Sequence, residues 1–391
     1  MRLVQQTIIR SNKDSYKDIK DLCHKSKNLY NATLFTIRQH YFEHKSYLPY
    51  VEVDRIFKST NNEDYRSLPT QTAQQTMRVV DQSFKSFFKS LKLPGKHHIP
   101  NYKDKNGSFT VTFTGQQISK KSLKEGYISV PFLDHKFPTT LTDICQVRFV
   151  PKSNYIVMEV VYEIKEKEKK QDNNRYAAID LGIDNLATLT FNNDRPIIVN
   201  GRPIKSINQY YNKQKSKYQA IKATKKIEDL SFKRNNKIRD YFHKSTRFIT
   251  NQLVSGHYNT VIIGYNKCWK QDVNIGKRNN QSFTSISHLQ FVNMIKYKCE
   301  LEGINVLLTE ESYTSKASAL DLDFLPDKNF KDPVFSGKRI KRGLYQSGYG
   351  YINADVNGAL NIMRKVVGDK ELLSVLSADI GLVFNPIKIS F

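Results

Sequence analysis

The sequence predicts an α/β chain with an added β-barrel, in two successive parts. Residues 1–165 read as a small barrel or curled sheet interrupted by a helical insertion at about 12–95. Residues 166–391 read as an alternating α/β domain. Three observations carry this. Short alternating strand patterns stand on either side of two long helical patterns near the N-terminus. A solid charge run, Lys165-Glu-Lys-Glu-Lys-Lys170, is followed by Gln-Asp-Asn-Asn and almost no apolar residue, as in an exposed linker. Beyond it, short apolar strands alternate with basic or amphipathic helices.

In chain order, residues 3–9 form an opening strand. A helix over 15–41 places Leu22, Leu29, Leu34 and Ile37 near helical spacing. A second helix over 70–91 starts after Pro69, a residue suited to a helix start, and carries Met77, Val80, Phe84, Phe87 and Phe88 on one side. Its other side shows Gln71, Gln75, Arg78, Lys85 and Lys89. Strands follow at 109–113, 127–131 and 155–162. In the second part, strands at 176–180 and 186–191 flank a tight turn at 182–185. Basic helices cover 204–223 and 233–255, and 260–263 is a short buried strand. An amphipathic helix over 285–302 ends at Gly303, 304–308 is another strand, and a last helix spans 355–367.

The chain has 391 residues, with 62 Lys+Arg against 37 Asp+Glu and a net charge of +25. Such an excess selects polyanionic partners and leaves the fold open. Nucleic acid leads. A membrane surface is disfavoured, because no run of about 18 apolar residues is present to anchor one, and the first residues lack the apolar stretch of a secretory signal. Cys23, Cys145, Cys268 and Cys299 lie far apart with no Cys-x-x-Cys pair, which fits a reducing cytoplasm and gives no zinc knuckle.

Three acidic residues stand in distinctive segments: Asp180 in Ala177-Ala-Ile-Asp-Leu-Gly-Ile-Asp184, Glu311 in Thr309-Glu-Glu-Ser-Tyr-Thr-Ser-Lys316, and Asp355 in Ile352-Asn-Ala-Asp-Val-Asn-Gly-Ala359. Strand ends and a helix start are stiff mounts that converge at one sheet edge in α/β folds. Carboxylates meeting there in a basic chain point to divalent metal beside a phosphate backbone. Singly, Asp180 also suits a turn, Asp355 a helix N-cap, and Glu310–Glu311 a solvated pair. Strand alternation does not choose between Glu310 and Glu311, since both faces of that strand are apolar.

With Leu22-Cys-His-Lys-Ser-Lys-Asn-Leu-Tyr-Asn31, Leu68-Pro-Thr-Gln71, Lys96-His-His-Ile-Pro-Asn-Tyr102 and the acidic segments in hand, the chain resembles the TnpB family. These are transposon-encoded OrfB-type proteins, RNA-guided DNA endonucleases related to the type V CRISPR effectors. The resemblance implies an OB-like wedge barrel with an inserted helical lobe, then an RNase H-like (RuvC) nuclease domain with an insert at about 317–352. It implies a guide RNA, a double-stranded DNA target, and an Asp–Glu–Asp site of Asp180, Glu311 and Asp355 holding two Mg²⁺, in a prokaryotic cytoplasm. Many members carry the middle glutamate directly after the strand that here ends in Gly264. The resemblance assigns the role to Glu311 instead. It also leads us to expect no zinc, because the cysteine pairs that members often carry in the insert are absent here.

Candidate nucleic-acid contacts are Asn31, Gln71, Gln75 and Arg78 for a flanking motif beside the target, and Lys244, Lys270, Lys316, Arg339 and Arg342 for backbone phosphates. Trp269, the single tryptophan, reads as a core or rim anchor. Three rival readings remain at this level: a nuclease-inactive RNA-guided DNA-binding repressor, a compact type V CRISPR effector nuclease, and a generic basic RNA-binding protein.

Overall fold

The opening strand, β1 (Arg2–Arg10), finds its sheet partner only at the far end of the first unit, after a helical excursion. A computed structural model describes residues 1–266, 281, 285–327, 329–330, 332–370 and 380–391. The chain divides into two units, Met1–Lys165 and Glu166–Phe391. Cys268, Trp269 and Lys270 lie outside the described residues.

In the first unit, helices α1 (Ser15–His44), α2 (Tyr50–Ser59), α3 (Glu63–Arg66) and α4 (Thr70–Ser90) come before β2 (Val111–Thr114). A short α5 (Lys120–Lys124), the two-residue strands β3 (Tyr127–Ile128) and β4 (Phe137–Pro138), and the long β5 (Ile144–Pro151) and β6 (Tyr155–Glu163) complete it. The main sheet runs β1-β6-β5-β2, antiparallel throughout. Among the described residues it is open: β1 and β2 are its edges and do not pair with each other. The expected barrel closure is therefore not seen. The reason lies in what covers the sheet. Leu22, Leu29, Leu34 and Ile37 of α1 and Met77, Val80 and Phe84 of α4 share one core with Phe113, Phe149, Ile156 and Met158. Each such side chain contributes about 1.5–3 kcal/mol of burial, so helices supply what the opposite wall of a barrel would. Strand β5, central to the sheet, was not read from the sequence, and neither was α2. The alternation of β5 spans only Val147 and Phe149, with Arg148 between them.

In the second unit, β7 (Tyr176–Leu181), β8 (Asn185–Phe191) and β9 (Ile197–Asn200) form an antiparallel meander. Helices α6 (Arg202–Ala220) and α7 (Thr224–Ser255) lead to β10 (Thr260–Gly264), which is parallel to β7. Helix α8 (His288–Leu301) leads to β11 (Asn305–Thr309), parallel to β10. The insert contributes a separate three-stranded sheet of β12 (Lys338–Lys341), β13 (Leu344–Ser347) and β14 (Gly350–Asn353). Helix α9 (Ala354–Val367), the short α10 (Gly381–Phe384) and β15 (Ile387–Ile389), parallel to β9, end the chain. The six-stranded order is β11-β10-β7-β8-β9-β15. Helix α7 starts earlier than the sequence reading placed it. Its first turns hold Lys225, Lys226, Glu228 and Asp229, and their few apolar residues, Ile227, Leu230 and Phe232, are only half-buried, so the stripe there is weak.

Strand alternation assigns the two faces. Ala177, Ile179, Val261 and Ile263 pack with Ile238, Phe242, Ile249 and Phe291 of α7 and α8. Ala178 and Ile262 pack with Ile362 and Met363 of α9. Asp180 and Gly264 continue the α9 face, so the topology turns both toward that helix. No helix among the described residues is long and apolar enough to cross a membrane.

Candidate active site

Each of the three acids has its own mount. Asp180 pairs in register with Thr188 near the end of β7. Glu311 lies just past the end of β11. Asp355 lies in the first turn of α9. Asp355 does not cap that helix: Asn353 does, its side-chain oxygen accepting from the backbone N–H groups of Asp355 and Val356 at 3.0 and 3.2 Å. Capping therefore does not use the Asp355 carboxylate.

Close approach of α9 to β7 depends on a glycine. A Cβ at Gly358 would stand 3.0 Å from Oδ2 of Asp180. Two asparagines then fix the segment that follows Glu311. Asn357 donates to the carbonyl of Ala317 at 2.8 Å and accepts from the N–H of Ala319 at 2.9 Å. Asn361 donates to the carbonyls of Thr314 and Ala317 at 2.9 and 2.8 Å. Both are fully buried. The Tyr-Thr-Ser-Lys-Ala-Ser and Asn-Ala-Asp-Val-Asn-Gly segments are thus two halves of one clamp.

Glu310 and Glu311 diverge. Glu310 accepts from Lys365 at 2.6 Å and from the N–H of Ser312 at 3.0 Å at an exposed position, and its carboxyl is held low by these partners against the opposing effect of burial. Glu311 turns inward. Its backbone N–H donates to Oδ1 of Asn266 at 3.0 Å, and Oε2 accepts from Nδ2 of Asn266 at 3.4 Å. Oε1 is buried with no hydrogen-bond partner. Burial, then the nearby Glu310, pushes the Glu311 carboxyl up to about 7.

Gly264 explains the room that Glu311 occupies. Gly264 and Thr309 are register partners in the parallel pair β10–β11. A Cβ at Gly264 would stand 2.5 Å from Oε1 and 2.9 Å from Cγ of Glu311. The Glu311 carboxylate fills the space that a side chain at 264 would take.

Asp180 is half-buried, and its carboxyl is pushed well above the usual range. Desolvation is the largest cause, followed by the charges of Glu311 and Asp355, with Arg339 opposing. Asp180 therefore lies within electrostatic reach of both other acids. Among the described residues, no three His, Cys, Asp or Glu side chains stand in a ready metal-ligating group. Asp355 shows why: Oδ2 accepts from Nδ2 of Asn185 at 2.7 Å, and Oδ1 lies 3.5 Å from a guanidinium nitrogen of Arg339. Protein donors engage both oxygens. The donor set is nonetheless all oxygen, it includes one orphaned carboxylate oxygen, and it carries mutual repulsion that a hard cation would relieve.

A basic rim adjoins the acids. Arg342 pairs with Asp184 at 3.4 Å, and Lys205 pairs with the same carboxylate at 2.8 Å. Lys316 lies over the Tyr313 ring at 5.9 Å, and Lys244 pairs with Asp240 at 2.8 Å on the exposed side of α7. Between α6 and α7 a cleft of about 660 Å³ is lined by Tyr210, Tyr211, Tyr218, Lys226, Lys233 and Lys237 among others. In the first unit, Asn31 exchanges two hydrogen bonds with the Lys103 backbone, at 2.9 and 2.8 Å. Gln71 donates to Gln116 at 2.9 Å and accepts from Thr114. Gln75 is half-buried on α4, and the exposed Arg78 lies over the Tyr50 ring at 5.1 Å. The sequence reading missed Asn185, Asn266 and Asn361 as site residues. Asn357 fell inside a quoted motif without being given a role.

Comparison with known proteins finds two family models that match parts of the chain. The OrfB_IS605 family, described as a probable transposase, matches residues 159–270, which contain Asp180. A Cas12f1-like TNB domain matches residues 288–362, which contain Glu311, Asp355 and the insert. The two matches bear out the resemblance to the TnpB family. A solved structure titled as the Cas12f1–sgRNA–target DNA complex has a similar fold, with a TM-score of 0.53 at 13% identity, covering 89% of this chain and 83% of that one. A second, titled as a CRISPR-Cas12f ternary complex, aligns at 13% identity over 89% of this chain and 82% of that one, with a TM-score of 0.33. No curated protein matches the chain.

Proposed function

We propose that the protein is an RNA-guided DNA endonuclease of a mobile element, cutting guide-matched DNA beside a short flanking motif by Mg²⁺-dependent phosphodiester hydrolysis of the RuvC type. One observation supports this above the others: the Glu311 carboxylate fills the space at Gly264 on the face that carries Asp180. That favours a working triad over the nuclease-inactive repressor, a reading that would rest on the absence of a carboxylate at position 264 itself.

Asp180, Glu311 and Asp355 would hold the metal, which when bound supplies an activated water and neutralises charge at the leaving oxygen. The remaining steps belong to the chain. Asn266 orients Glu311 and Asn185 orients Asp355. Arg339, leaving Asp355, and Arg342, leaving Asp184, would take the phosphates of the strand to be cut. The aromatic and cationic cleft of α6–α7 offers stacking surfaces and phosphate partners without sequence preference. Guide RNA and DNA as partners come from the net charge of +25 and from the complex in which the similar fold occurs. Base pairing with the guide would then select the sequence. Arg78 and Gln75 are proposed to read the flanking motif, since Asn31 and Gln71 already spend their amides internally.

The test is purification with co-expressed RNA, sequencing of that RNA, and incubation of the complex with matched DNA and Mg²⁺. Asp180→Ala and Asp355→Ala should each lower cutting by at least about 10³-fold while retaining the RNA. Undiminished cutting by either variant, or recovery of no discrete RNA, refutes the reading.

A further inference from the structure

A second, smaller cavity of about 260 Å³ opens at the start of α6, walled by Ile183, Lys205, Asn208, Asn212, Ser285 and Ile286 among others. Ile183 belongs to the turn that follows Asp180, and Lys205 is tied to Asp184 at 2.8 Å, so the cavity sits beside the acidic end of β7. Its volume falls just below the roughly 300–1,000 Å³ of pockets that take whole drug-sized ligands, and a single ring system suits it. Two isoleucines give it apolar walls, and amides give it a polar rim.

Asn208 is the decisive residue. It is 4% exposed. Its Oδ1 accepts from Nε of Arg234 at 2.7 Å, which fixes the amide orientation. Arg234 is itself anchored by a bond to the Ser285 carbonyl at 2.8 Å. The amide nitrogen, Nδ2, is buried with no partner. A buried donor left unmet costs about 1–3 kcal/mol, and here it is held in place by a charged neighbour. What it lacks is an acceptor.

We propose that this cavity receives one unpaired nucleobase of a strand lying at the acidic site, and that Asn208 Nδ2 donates to a ring carbonyl of that base. Pyrimidine O2 and O4 and guanine O6 are acceptors of this kind, and single-stranded bases are free to present these edges between apolar walls. The inference rests on the nucleic-acid reading above and adds a base-contacting subsite to it.

Photocrosslinking tests it without requiring cleavage. Short single strands carrying 4-thiothymidine (DNA arm) or 4-thiouridine (RNA arm) are bound to the full-length protein in EDTA, irradiated, and the linked peptides mapped. Links to the segment carrying Asn208 and Asn212 are expected. Asn208→Asp keeps an oxygen for Arg234 and replaces the free donor with a charged acceptor that repels a ring carbonyl, and Asn212→Ala alters the rim. Each should cut the yield at that segment by about fivefold, with strand affinity within about twofold of wild type, because phosphate contacts dominate it. Links in the DNA arm alone assign the pocket to the target, and links in the RNA arm alone assign it to the guide; either supports the proposal. Links mapping only elsewhere, or yields unchanged in both variants, overturn it. A protein that gives the expected links yet never cuts DNA with Mg²⁺ would sink the nuclease reading and leave the pocket standing.

Discussion

Replacing Gly264 by alanine tests the construction of the site with a single carbon atom. Gly264 does not have the positive φ that favours glycine, so alanine is compatible with its backbone and any effect comes from space alone. The new Cβ would stand 2.5 Å from Oε1 of Glu311 and 2.5 Å from Cδ1 of Ile362. Ile362 is fully buried against Tyr176, Ala178, Ile262 and Met363 and cannot retreat freely. The Glu311 carboxylate must therefore move. Overpacking of this kind costs about 1–3 kcal/mol, and a displacement of about 1 Å at a reacting centre costs on the order of 10²-fold in rate. Urea unfolding gives the first number and cleavage of matched DNA the second. A Gly264→Ala protein with wild-type stability and wild-type cutting would show that Glu311 does not fill this space. The complementary experiment moves the acid between neighbouring strands. Glu311→Ala should abolish cutting, and Gly264→Glu added to it should raise cutting at least about tenfold above the single variant, because the two positions address one point.

Three further outcomes follow from the same geometry. Arg339→Ala removes the cation 3.5 Å from Asp355, so the Mg²⁺ midpoint measured by titration of DNA-free protein should fall by up to about fivefold; a rise would mean that Arg339 does not compete for that carboxylate. Lys298 is buried, donating to the His243 carbonyl at 2.9 Å and to Thr246 at 2.6 Å, and burial followed by the charge of Arg247 pulls its ammonium down to about 8. The folded state then binds fewer protons than the unfolded state between about pH 8 and the ordinary lysine value, so this residue's contribution to stability rises with pH across that window. Comparing wild type with Lys298→Met in urea at neutral pH and near pH 10, the variant's advantage should shrink by about 1–3 kcal/mol; a constant difference refutes the assignment. Asp323 accepts from the N–H groups of Ser318 and Ser336 at 2.7 and 3.1 Å, so Asp323→Ala should speed hydrogen exchange across the insert with a loss of about 1–3 kcal/mol, whereas equal exchange would show that the insert does not depend on it.

Most elements that build the second unit's sheet were legible because their signals are local. Strand 176–180, strand 260–263 and the last helix carry apolar runs or stripes that a window of a few residues reveals, and each appears with ends shifted by only a few residues. The elements that escaped depend on distant partners. Strand β9 is four residues long, and β15, which pairs with it, lies in a tail without readable periodicity. The choice of Glu311 over Glu310 could not come from alternation, because β11 is an edge strand with Leu307 and Leu308 both exposed. What separates the two glutamates is the partner each meets: Lys365 for one, Asn266 and the space at Gly264 for the other. Asn185 and Asn266 escaped for the same reason, since a lone asparagine beside a strand end reads as a turn residue until its acceptor is in place.

The insert holds its shape without thiolates, since residues 317–352 contain no cysteine. Carboxylates and one guanidinium organise it here. Asp321 accepts from the hydroxyl of Ser318 and from the N–H of Gly348, and Asp323 ties Ser318 to Ser336. Arg364, 5% exposed, donates to the Asp323 carbonyl at 2.8 Å and to Asn361 at 2.8 Å. Tyr345 packs with Leu320 and Ile352, and its hydroxyl donates to the Lys316 carbonyl at 2.7 Å. The same helix therefore presents Asp355 in its first turn and anchors the insert through Asn357, Asn361 and Arg364 along its length. Because the insert also carries Arg339 back to Asp355, any force that moves these strands acts directly on the carboxylate. A nucleic-acid strand drawing Arg339 away would free an oxygen of Asp355 as it arrives, coupling occupancy of the rim to readiness of the acids.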